Sequence, residues 1–220
     1  MPGGEVGCMQ TNESMRGVEP RCSLALLLGV GIGIAVMSFH PTGHDLLHGA
    51  DRGAVIHRDQ VVHAAAIASL LLQCFGLLGL VRRLRGARLG VPEFAMLLFG
   101  LATVAATVAA MASGFVAPGL LTDAEPPTAA WQWNHLLNQS FARLFVVTST
   151  AAIVLWSVAG WHARMPRWLC GFGVVVPMLA MAMMLVGHLR LDVHGFFVIV
   201  LTQAVWLVGV AFELRRPPRA

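Results

Sequence analysis

Apolar residues run along this chain in six long stretches, about 23–40, 60–81, 94–117, 141–161, 168–188 and 194–213, with polar connections between them. A helix needs about 20 mostly apolar residues to cross the hydrocarbon core, and each stretch comes near that length. In lipid only a helix or a closed barrel satisfies its own backbone amides. None of the six stretches alternates as a barrel strand does, so the pattern predicts an all-α bundle of six transmembrane helices. Residues 1–22 read as a polar tail, 23–214 as the membrane domain and 215–220 as a short basic tail. The first stretch reads as an uncleaved anchor, because no small-x-small cleavage site follows it closely.

The arginines orient this bundle. With the N-terminus in the cytoplasm, eleven fall on the inner side: Arg16, Arg21, Arg82, Arg83, Arg85, Arg88, Arg164, Arg167, Arg215, Arg216 and Arg219. Four fall on the outer side: Arg52, Arg58, Arg143 and Arg190. That asymmetry predicts both termini in the cytoplasm. Trp131 and Trp133 then mark the outer interface, and Trp156, Trp161 and Trp168 the inner one. The outer connections are expected at 41–59, 118–140 and 189–193. Gly29, Gly31 and Gly33 thin the first helix for close approach, and Pro177 interrupts the fifth.

Composition agrees. The chain is 57% hydrophobic and only 12% charged, against about 25% charged in a soluble domain. The net charge of +4 follows from arginines flanking spans, so the expected partner is the lipid bilayer and not nucleic acid. Lysine is absent, which excludes a retinal Schiff base. Abundant Arg, Ala and Gly without lysine point to a GC-rich bacterial genome and an inner-membrane location. The four cysteines (Cys8, Cys22, Cys74 and Cys170) include no CxxC pair and none in an outer connection, so any metal ligands there must be His, Asp, Glu or Met.

Eight of the nine histidines fall at or beyond the outer helix ends: His40, His44, His48, His57, His63, His135, His188 and His194. Asp45, Asp51, Asp59, Asp123, Glu125 and Asp192 share that layer. Imidazole with carboxylate is a common ligand set for zinc, copper or iron where thiolates are missing. The expected metal ligands are a subset of His40, His44, His63, His135, His188 and His194, with copper or zinc the expected ion. Met37 and Met184 lie one turn from His40 and His188, and thioether beside imidazole suits copper(I). The bland alternative is a structural polar layer at an interface, with methionine as ordinary packing.

Within the layer, His44-Asp45-Leu46-Leu47-His48 spaces two histidines four apart, as in H-E-x-x-H sites. This segment is similar to the first histidine box of membrane desaturases and hydroxylases over five residues. The paired boxes that follow in that family have no counterpart here, and the family's boxes face the cytoplasm. A b-type haem is the alternative cofactor, with His63, His135, His188 and His194 as axial candidates and Arg143 and Arg190 as propionate partners. No C-x-x-C-H occurs for covalent haem attachment. Arg143 stands inside the fourth stretch, where a charge is costly and marks either function or a structural pairing with Asp59 or Asp192. Gln203, deep in the sixth stretch, reads as an interhelical hydrogen-bond partner. No nucleophile motif, Walker loop or dinucleotide site is present. A cofactor-free scaffold and a pH sensor built on histidine protonation complete the readings, and no pattern specifies a reaction.

Overall fold

The computed structural model describes residues 18–41, 51–85, 90–120 and 128–217. Among them, six helices are long and apolar enough to cross a membrane. In chain order these are α1 (Val18–Ser38), α2 (Arg52–Leu84), α3 (Val91–Met111), α4 (Thr128–His162), α5 (Arg167–Leu185) and α6 (Val193–Leu214). The third continues through a π-helical turn, Ala112–Val116, and a last α-turn, Ala117–Leu120. Residues such as Leu71, Leu97, Val104, Val175 and Leu185 stay exposed on the outer faces, as a lipid-covered surface requires.

Each helix packs on its neighbours in the chain, and α6 returns to pack on α1. The six therefore close into a ring in sequence order. One end carries the start of α1, the end of α6 and the arginines Arg82, Arg83, Arg167, Arg215 and Arg216; the other carries every described histidine except His162.

Small residues let α1 and α2 come close. A Cβ on Gly76 would lie 2.7 Å from the Cys22 carbonyl and would also strike Leu26, while one on Gly29 would lie 2.8 Å from the Ser69 carbonyl. Gly31, by contrast, faces open space. Around the axis of the arginine half sit Leu26, Leu77, Leu80, Phe99, Ile153, Trp156 and Trp206, all essentially fully buried. Trp156 stacks on Trp206 with centroids 6.1 Å apart and donates its indole N–H to the Pro92 carbonyl at 3.1 Å. It is thus a core residue and not part of an interfacial belt, because a buried acceptor lies within reach of its N–H.

Charge closes the same end. Glu213 is buried and sits 3.5 Å from Arg83 and 3.1 Å from Arg216, while Arg215 donates to Ser23, whose hydroxyl donates to the Ala211 carbonyl. These bonds join α1, α2 and α6. Buried carboxylates persist only when paired in this way.

The helices exceed the apolar stretches at the histidine end. α2 starts at Arg52 and α4 at Thr128, where connections to 59 and 140 were expected. Hydropathy registers only the lipid-spanning part, whereas the Asp51 carboxylate accepts from the Ala54 N–H and starts α2 two turns earlier. Gln203 donates to the Ser149 hydroxyl at 2.7 Å, the interhelical role its sequence position implies.

The α1–α2 contact is open to a direct test. Gly76→Ala is expected to destabilise the protein by about 1–3 kcal/mol through overpacking, read as a lower thermal midpoint in detergent. Gly100→Ala, at a glycine with nothing within 4 Å of its added Cβ, is expected to leave the midpoint unchanged.

Candidate metal centre

Extending α2 back to Arg52 places Asp59 and His63 one turn apart on one helix face. Both are buried. The His63 Nδ1–H donates to the Asp59 backbone carbonyl at 2.8 Å, and Asp59 Oδ1 lies 3.3 Å from the same nitrogen. One N–H bonds the carbonyl, so the carboxylate contributes charge there without a hydrogen bond. Both Asp59 oxygens are buried with no hydrogen-bond partner.

His40 comes from just past the end of α1. Its Nδ1 lies 2.7 Å from the Pro41 carbonyl, and its Nε2 lies 3.2 Å from His63 Nε2. The rings meet edge to face, with planes at 74°. Carbonyl oxygens only accept, so each Nδ1 carries a proton. A neutral imidazole then presents a bare lone pair at Nε2, and two such lone pairs face each other here. That arrangement repels unless a cation stands between them. Burial, reinforced by the facing His63 ring, pushes the His40 imidazole below its ordinary pKa range. Depression favours the neutral form, which is the metal-ligating form.

The distances fit a metal ion. Two nitrogens bound at about 2.0–2.1 Å to a tetrahedral ion stand about 3.3–3.4 Å apart. One ligand atom from each of His40, Asp59 and His63 falls within 4.8 Å of the others. Two imidazoles and a carboxylate leave a fourth position open, the layout of catalytic rather than structural zinc sites. The Asp59 backbone carbonyl, accepting from the His63 Nδ1–H, is the outer partner that would orient the His63 ring.

Backbone supports the ring from behind. Gly114 lies in the π-helical turn of α3, and a Cβ there would come within 2.5–2.6 Å of the His63 Cβ and of two atoms of its ring, Cγ and Nδ1. Single π-turns inside α-helices recur at functional sites. Here the turn brings a residue without a side chain against the imidazole.

The other residues singled out by sequence separate. His135 lines the same cavity as His40 and His63. His188 and His194 are exposed, as are Arg143 and Arg190. Arg143 pairs with neither Asp59 nor Asp192, the two partners its position suggested. His44 and His48, with the motif they bracket, lie outside the described residues, as do Cys8, Asp123 and Glu125. Gly114 was not legible as a site residue, although a Ser113–Gly114 step inside an apolar helix is a signal of close approach. Asp59 was legible as an acid of the layer but was expected in a connection.

Fold and site together define a six-helix bundle of membrane-spanning dimensions with a His/Asp/His group able to hold a metal ion. No protein-family model matches the chain, and no curated protein or solved structure is similar to it.

Gly114→Ala is expected to push the His63 ring aside and weaken metal binding about 10–100-fold, the size of effect seen when a ligand's outer support is lost. Competition with a chromophoric chelator measures this, and Gly100→Ala is expected to bind like the wild type.

Proposed function

We propose that this protein is a multi-spanning membrane metalloprotein, with a divalent transition ion held by His40, His63 and Asp59 near the outer face of a bacterial inner membrane. The observation that carries this reading is the pair of Nε2 atoms facing each other at 3.2 Å, with each Nδ1 already tied to a carbonyl. The positive-inside asymmetry supports an outward-facing site. Zinc is the first candidate, since two imidazoles and a carboxylate match its catalytic ligand sets. Copper is the second, because Met37 lines the adjoining cavity and offers a thioether. The same geometry disfavours a haem on this pair. Axial nitrogens stand about 4 Å apart on opposite faces of a porphyrin, and 3.2 Å leaves no room for one between them.

Elemental analysis of untagged protein in mild detergent tests the reading. About one equivalent of zinc or copper per chain is expected, falling below a tenth in His63→Ala and His40→Ala. Asp59→Asn is expected to keep the shape but weaken the site at least tenfold through loss of the negative charge. A wild-type protein that takes up no metal on reconstitution would instead indicate a proton shared between the two imidazoles.

A further inference from the structure

The ring is filled on one half of its axis and hollow on the other. Above the Trp156–Trp206 stack, a cavity of about 360 Å³ is lined by residues of α1, α2, α3, α4 and α6. Along α2 its wall runs from Val62 to Gln73, about 16 Å of helix at 1.5 Å per residue. His40 and His63 stand at its histidine end, so an ion held by them would border a chamber long enough for a chain.

Lining chemistry narrows the occupant. The wall of α3 is alanine (Ala106, Ala109 and Ala110), and Ala66 faces it from α2. Side-chain amides from α4 occupy the level of the metal. Asn138 donates to the Ala109 carbonyl at 2.8 Å, Asn134 to Ala112 at 3.0 Å and Gln139 to Leu191 at 3.1 Å. They hold the helices apart around the space without adding charge. Among the described residues no arginine lines the cavity; Asp192 lines it, and its carboxylate accepts from the Gly195 N–H at the start of α6, where the helix dipole offsets its charge. The metal is thus the positive centre of the chamber. A divalent ion with two neutral imidazoles and the Asp59 carboxylate carries one net positive charge. In a low-dielectric site, one further negative oxygen ligand brings that sum to zero.

We propose that this cavity is the substrate chamber of the metal centre, and that it takes a single-chain carboxylate of fatty-acid type. The carboxylate occupies the open coordination position and the chain lies along the alanine wall. This proposal rests on the metal reading above.

The test uses full-length protein in nanodiscs, with metal content measured on every sample. The probe is an undecanoate brominated at its chain end, which quenches tryptophan on contact; Trp131 lines the chamber. Saturable quenching is expected with metal-loaded protein. Binding is expected to be at least tenfold weaker for the matching alcohol and undetectable for the matching amine. Ala106→Phe, which narrows the chamber about two turns along α3 from Gly114, is expected to weaken probe binding at least tenfold with metal content unchanged. Val200→Phe provides the same check from the α6 wall if that variant fails to fold. Metal-loaded protein that shows no saturable binding of the carboxylate overturns the proposal. So does equal binding by the amine, or equal binding by both filled variants. Protein that takes up no metal refutes the metal reading instead, a result the elemental analysis identifies separately.

Discussion

A ring of six helices has an axis that side chains must either fill or leave open, and the rest of this structure follows from how that is resolved. On the arginine half, Trp156, Trp206, Phe99 and several leucines, all buried, fill it. On the histidine half, the residues facing the axis are mainly alanines, valines, a glycine and side-chain amides, which are too small to meet across it. The helices cannot collapse inward there, because the neighbour contacts that close the ring fix their spacing. A cavity along the axis results at that end, and the histidine pair stands beside it.

The metal centre depends on the same scaffold. His63 is held by a carbonyl one turn back in its own helix, by the glycine face of a π-turn on α3, and by the facing ring of His40. His40 is held by its bond to the Pro41 carbonyl. The two carbonyl bonds occupy the Nδ1 atoms and leave the two Nε2 atoms 3.2 Å apart. The buried Asp59 carboxylate, without a hydrogen-bond donor of its own, supplies the negative charge that a cation there needs. Burying such a group is expensive without compensation, and a bound cation offers it.

Much of the fold was legible in the sequence because hydropathy measures what lipid demands. Six stretches of spanning length became six helices, and most of the described arginines collected at one end. Hydropathy did not register the first two turns of α2 and the longer start of α4, because those turns are polar. That omission hid the key relation of the site: Asp59 and His63 are one helical turn apart only if the helix begins before residue 59. The His44/His48 spacing drew notice for the same four-residue separation, yet the pair brought together by the described structure is His40 with His63. Their approach depends on how α1 and α2 cross, which Gly29, Gly76 and Gly79 determine through contacts invisible to a linear pattern. Trp156 shows the converse. Its place near a span end suggested an interface, whereas the Pro92 carbonyl and the Trp206 ring make it core.

X-ray absorption at the edge of the bound metal tests the central claim most directly. The account requires a first shell of nitrogen and oxygen at about 2.0–2.1 Å, with outer-shell scattering from two imidazoles. A shell dominated by sulfur, or one of oxygens alone with no imidazole scattering, would contradict it.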